Sequence, residues 1–120
     1  MSLMPDQNSE RFPKSNRLCR QRDFDRTFKS GRVIADSVLV VHATANQLDR
    51  WRLGISISRK VGNAVVRNRW KRWIREAFRR QTKSSNPCFD LVIRPRKGAH
   101  GDFDSTCKSL TSCIKRLSKH

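Results

Sequence analysis

Apolar positions recur along this chain with a spacing that changes character several times. From residue 51 to 58 they alternate. Trp51, Leu53, Ile55 and Ile57 fall on one side, and Arg52, Gly54, Ser56 and Ser58 on the other. A period of two predicts a half-buried strand. Its second side is small and polar, which leaves room for another backbone or a ligand, although a solvated sheet face reads the same way. From 63 to 80 the spacing becomes helical. Stepping about 100° per residue from Val66 puts Trp70, Trp73 and Ala77 within about 40° of it and Ile74 at about 80°. The opposite side, from about 140° to 240°, carries Asn68, Lys71, Arg72, Arg75 and Arg79, with Arg67 and Arg69 on the flanks. Gly62-Asn63 supplies the turn and a cap.

The remaining segments follow by the same reading. Residues 21 to 30 predict a short helix with Phe24 and Phe28 on one face, stopped at Gly31. Residues 32 to 43 are rich in Val, Ile and Leu with a break at Asp36-Ser37, and predict one bent strand or two short ones. Residues 44 to 50 and 81 to 87 are polar loops. Residues 88 to 94 predict a strand closed by Pro95, followed by a basic loop over 95 to 101. From 102 to 118, Phe103, Cys107, Leu110, Ile114 and Leu117 form one apolar helical stripe. The first 16 residues are polar, hold Pro5 and Pro13 and show no periodicity. They are expected to be a disordered arm before a single domain spanning 17 to 120. The order α-β-β(-β)-α-β-α predicts an α+β or α/β sandwich, with helices packed on a small sheet.

Composition narrows the function. The chain has 120 residues, and 27 Lys and Arg against 10 Asp and Glu leave a net charge of +17. That balance predicts a polyanionic partner, with nucleic acid the default. No apolar run approaches the roughly 18 to 20 residues of a membrane span, so no membrane partner is expected. The first residues hold no apolar core of a secretory signal, and a cytoplasmic protein is expected. Cys19, Cys88, Cys107 and Cys113 lack the C-x-x-C spacing of a zinc site, and His42, His100 and His120 form no close pair. Reduced thiols are expected rather than zinc ligands or disulfides. Cys107 and Cys113 read as small core or boundary residues.

The basic helix is the strongest signal. Between 59 and 80 stand Arg59, Lys60, Arg67, Arg69, Lys71, Arg72, Arg75, Arg79 and Arg80, against the single acid Glu76. Like charges three or four residues apart repel and destabilise a free helix, and a polyanion relieves that repulsion. Arg outnumbers Lys, which suits phosphate and guanine recognition by a planar fork. Phe24 and Phe28 read first as core residues. Aromatics beside a basic groove also hold single-stranded nucleic acid. His42, alone in a Val-rich strand, reads as structural. Asp23 with Asp25, and Asp102 with Asp104, make no convincing acid-base or two-metal site. No Gly-rich phosphate loop is present. On residue content the chain is a binder rather than a catalyst.

The stretch from Ser58 to Phe78, with R-N-R-x-K-R-x-x-R-E from Arg67 to Glu76 at its heart, resembles the signature of the bacterial ribonuclease P protein subunit. Arg17-Leu18, Asp23-Phe24, Phe28 and Gly31 resemble that family's first helix, residues 52 to 58 its central strand and residues 91 to 95 its last strand. The resemblance spans roughly residues 17 to 118. It implies an α+β fold, an α-β-β-β-α-β-α sandwich of the ribosomal protein S5 domain 2-like type. It also implies a left-handed β-α-β crossover, where general rules give a right-handed one.

The same resemblance implies a function. An RNA subunit carries the catalytic centre, and the protein assists endonucleolytic removal of the 5′ leader from precursor tRNA. Arg67, Asn68, Arg69, Lys71, Arg72 and Arg75 would contact the RNA subunit. Phe24, Phe28, Val40, His42, Ser56 and Lys60 would line a cleft for the single-stranded leader, which replaces the core reading of the two phenylalanines. Mg²⁺ would act through the RNA holoenzyme, with none bound by the protein alone, and the protein would be monomeric with one copy per RNA. Two departures stand out. Position 42 is His where relatives often carry Tyr, and Trp70 and Trp73 stand where aliphatic residues are usual. Two other classes are weighed: a structural RNA-binding protein of ribosomal type, and a protein-only nuclease, for which no carboxylate cluster is found.

Overall fold

The computed structural model describes residues 17–18, 20–46, 48, 50–81, 88–96, 98 and 101–118. The expected N-terminal arm, Cys19 and His100 lie outside them. The elements in chain order are α1 (Gln21–Ser30), β1 (Arg32–Ala35), β2 (Leu39–Ala45), β3 (Arg52–Ile55), a 3-10 turn (Arg59–Val61), α2 (Ala64–Gln81), β4 (Phe89–Pro95) and α3 (Phe103–Ser118). The four strands form one mixed sheet in the order β1-β2-β4-β3. β2 runs antiparallel to β1 and to β4, whereas β3 and β4 are parallel neighbours. α2 connects those two, because a parallel pair needs a long crossover. The fold is therefore α+β with the predicted element order. Beyond β3 the segment before α1 pairs along the sheet edge: Leu18 N–H donates to the Leu53 carbonyl at 2.9 Å, and Arg17 bridges Leu53 in parallel.

Strand alternation divides the side chains between two layers. Leu39, Val41 and Ala43 of β2, Leu53 of β3, and Phe89, Leu91 and Ile93 of β4 face α2 and α3, which contribute Trp70, Ile74, Ala77, Phe78, Leu110, Cys113 and Leu117 to the same core. The buried stripe of α2 is turned somewhat from its predicted phase. Phe78 joins it, while Val66 and Trp73 lie at its edge, only partly buried. Cys113 is a core thiol, and burial pushes its pKa up to about 11.

Local chemistry sets the element ends. Val66 N–H donates to Asn63 Oδ1 at 3.0 Å, the expected cap of α2. Asp102 and Ser105 cap α3 reciprocally: Ser105 N–H donates to Asp102 Oδ1, and Asp102 N–H donates to Ser105 Oγ. Gly31 ends α1 with extended backbone, so its glycine is required by space. A Cβ there would press on the carbonyl oxygens of Thr27 and Ala43. The strand expected over 51 to 58 is shorter. It ends at Ile55, after which Ser56 N–H still donates to the Ile93 carbonyl, and Ser58 then caps the 3-10 turn through Lys60 N–H. Among the described residues no helix is long and apolar enough to cross a membrane.

Candidate nucleic-acid interface

The second face of the sheet is built from the alternate residues. Cross-strand partners share a face, so the pairs Val33–His42, Val40–Arg94, His42–Val92 and Gly54–Val92 put these six residues on one surface. α1 crosses part of it. Phe24 lies directly over Gly54, where a Cβ would come within 2.7 Å of its ring. The missing side chain of Gly54 is what admits Phe24, and the small face read in the sequence is occupied there by an aromatic ring. One turn later, Phe28 is 38% exposed and meets His42 edge-on, with ring centroids 4.6 Å apart.

A buried ion network fixes α1 in this position. Asp90 is fully buried on β4. Arg52 Nε donates to Asp90 Oδ1 at 2.8 Å and Arg52 Nη2 to Oδ2 at 2.7 Å. Arg26 Nη2 of α1 donates to Oδ2 at 2.7 Å, and Asn46 Nδ2 to Oδ1 at 2.8 Å. Asp23 stands 3.6 Å from Arg26 and 3.7 Å from Arg52. Burial pushes the Asp90 carboxyl upward, but the bonds from Arg52 and Asn46 and the charges of Arg52 and Arg26 hold it below its ordinary value. Four donor hydrogen bonds on two oxygens satisfy the carboxylate in the way a buried charge requires. Asp36 is used similarly in the β1–β2 turn, accepting from Val38 N–H, Leu39 N–H and Ser109 Oγ. Of the carboxylates weighed in the sequence, Asp23 joins the Asp90 network and Asp102 caps α3. Among the described residues no three His, Cys, Asp or Glu side chains gather into a metal site.

Past α1 the floor of this face is Val40 and His42. His42 is 9% exposed, and neither ring nitrogen finds a hydrogen-bond partner among the described residues. Burial, and then the charge of Arg94, lower its pKa, which keeps the imidazole neutral near pH 7. Val33, 59% exposed, and the exposed Arg94 border it on the two neighbouring strands. Both were missed in the sequence. Arg94 could have been found by alternation from Asp90 through Val92. Ser56 is half-buried just beyond β3. Lys60 is placed elsewhere: it is exposed on the 3-10 turn and lines a separate groove with Arg69, Trp70 and Trp73.

α2 presents the cationic surface. Asn68, Arg69, Lys71, Arg72 and Arg75 are exposed, whereas Arg67 is half-buried, with its Nε buried and without an acceptor among the described residues. Glu76 is engaged by Arg79 and Arg80 at the far end. Partial desolvation, and then the like charge of Arg17, lower the pKa of Arg75. Arg17, from the segment beside β3, therefore extends the cationic surface of α2.

Three comparisons place this arrangement among known proteins. The family model for ribonuclease P matches residues 12–118. The chain is 42% identical over 114 residues to the ribonuclease P protein component of Thermotoga maritima, covering 91% of this chain and 97% of that one. The fold is similar to the solved RNase P protein of Staphylococcus aureus, with a TM-score of 0.76 and 37% identity over 87% of this chain and 96% of that one. It is also similar to the solved Thermotoga maritima protein, with a TM-score of 0.75 and 39% identity over 83% and 96% of the two chains.

Proposed function

The chain belongs to the ribonuclease P protein family, a tRNA-processing ribonuclease component with an RNA partner, and from that premise we propose that it binds both the catalytic RNA subunit and the 5′ leader of precursor tRNA. The observation that carries the reading is the rim of the sheet face beside α1, where Phe28, Val33 and Arg94 are exposed around the buried Val40 and His42. Phe28 offers a partly exposed ring, His42 two nitrogens without a partner among the described residues, and Arg94 a cation, all around one surface. Such a combination holds single-stranded RNA by stacking and backbone attraction. The cationic side of α2 takes the RNA subunit, and Arg67, Asn68, Arg69, Lys71, Arg72 and Arg75 supply its contacts.

In this reading the RNA carries the cleavage chemistry and the protein acts as accessory. Two polyanions meet at the junction of subunit and precursor. The +17 chain lies between them and lowers their repulsion. Mg²⁺ acts in this reading through the RNA holoenzyme. The protein acts in the cytoplasm as one copy per RNA.

The test is cleavage of precursor tRNA at low Mg²⁺ with the cognate RNA subunit, with and without the protein. Leader removal rescued only when both are present supports the proposal. Tight, salt-sensitive RNA binding without rescue would instead leave a structural RNA-binding protein.

A further inference from the structure

A groove of about 370 Å³ opens on the flank of α2, between its N-terminal half, the 3-10 turn and the segment after β4. It is separate from the sheet face beside α1. Lys60, Arg69 and Arg96 bring three cations to its wall, Trp70 and Trp73 bring aromatic surface, and no acid among the described residues lines it. Arg96 is held in place by donating to the Asp36 carbonyl at 3.1 Å. Trp70 is buried and fixed, since it fills the space where a Cβ at Gly101 would sit. Trp73 packs edge-on against it at 5.3 Å and 74°, and remains only half-buried. Lys60 and Arg69 are exposed, and neither side chain has an acidic partner among the described residues. The phase of α2 explains the geometry. The core stripe is centred toward Ile74 and Phe78, so Val66, Arg69 and Trp73 fall together on the helix edge.

Each part has a bland counterpart when taken singly: a tryptophan at a core margin, a solvated lysine. Their convergence is more specific. An aromatic face meets two cations that have no acidic partner among the described residues, in a groove within the usual range of ligand sites, about 300 to 1,000 Å³. Base stacking on an aromatic side chain, with the phosphate held by Lys and Arg, is how proteins take splayed-out nucleotides of RNA. We propose that this groove binds one unpaired RNA nucleotide, its base against Trp73 and its phosphate between Lys60 and Arg69. The proposal rests on the reading that the chain works on RNA. The nucleotide comes from the RNA subunit or from the precursor leader, and the chemistry is the same for both.

The experiment uses the full chain and compares Trp73→Leu, Trp73→Phe and the double variant Lys60→Gln with Arg69→Gln. Affinity is measured separately for the RNA subunit and, in the assembled holoenzyme, for leader-bearing precursor. Trp73→Leu is expected to lose roughly 5- to 150-fold in affinity for one of the two RNAs, Trp73→Phe clearly less, and the charge variant to weaken binding of the same RNA. Loss confined to the RNA subunit assigns the nucleotide to it, and loss confined to the precursor assigns it to the leader. Lys60→Gln alone, an exposed side chain outside the set assigned to the RNA subunit, keeps the test valid if Trp73→Leu unfolds. Unchanged affinity for both RNAs in the folded variants would overturn the proposal. The function proposed above would survive if rescue at low Mg²⁺ persisted.

Discussion

The Phe28 ring meets the His42 imidazole edge-on, with centroids 4.6 Å apart and planes inclined at 69°. α1 thereby sets a partly exposed ring against the buried imidazole of β2. The neighbouring Phe24 plays a different part, because it fills the space above Gly54. The two phenylalanines of one helical face should therefore separate experimentally. Phe28→Ala is expected to weaken binding of leader-bearing precursor by about 1 to 3 kcal/mol, with little change for mature tRNA and a small change in melting temperature. Phe24→Ala should lower the melting temperature as well. Equal losses for precursor and mature tRNA on changing Phe28 would identify it as a packing residue only.

His42 gives a pH signature. Its folded pKa lies below the ordinary 6.5 because it is buried and near Arg94. Below pH 6.5 the unfolded chain therefore binds more protons at this site than the folded one. Stability contributed by neutral His42 is complete above that pH and is lost as pH falls through the lowered folded value. Thermal melts at pH 7.5 and 5.5 test this. The native chain should lose more stability on acidification than His42→Phe, which keeps an aromatic ring beside Phe28 and cannot titrate. Parallel losses in both proteins would remove His42 as the cause.

Asp90 ties α1 to the sheet through Arg26. Asp90→Asn leaves Arg52 and Arg26 beside an uncharged partner in a buried setting. Removing one member of such a group costs about 3 kcal/mol or more, which for a domain of this size lowers the melting temperature by on the order of 10 °C. Arg26→Ala, by contrast, removes a half-exposed side chain and should cost under about 1 kcal/mol. It should still loosen α1 and so impair leader discrimination. An Asp90→Asn protein that melts like the native chain would show that Arg52 and Asn46 hold the strands without the charge.

These results mark what local sequence could and could not convey. α2 and α3 were legible because their apolar stripes repeat over several turns. Phe78 escaped because the wheel was phased on Val66, at the margin of the buried arc. The end of β3 was obscured because Ser56 and Ser58 continue the alternation, although Ser58 caps the next turn. Asp90 carried no local signal at all. It sits inside an apolar strand, and its partners at 26, 46 and 52 are remote in sequence. The aromatic and imidazole groups beside α1 were named from residues and resemblance together, and the structure brings Phe28 and His42 into contact. Lys60 could not be placed by pattern, because it sits on a 3-10 turn between β3 and α2, where it lines a groove with Arg69.

The cationic side of α2 yields the last expectation. Arg72 is exposed, and no hydrogen bond or ion pair of its side chain is found among the described residues. Arg72→Ala should leave the fold unaltered and weaken binding of the RNA subunit. Each phosphate contact removed lowers the slope of log affinity against log salt by about 0.7 to 0.9. Arg67 differs because its buried Nε has no acceptor among the described residues. An unpaired buried donor costs stability that a bound phosphate would return. Arg67→Ala should therefore reduce RNA affinity more than Arg72→Ala, while its melting temperature stays level or rises. Salt titrations of subunit binding, paired with thermal melts of the free protein, measure both quantities. A large fall in melting temperature for Arg67→Ala would show that this arginine serves the fold, and an unchanged salt slope for Arg72→Ala would take that residue out of the interface.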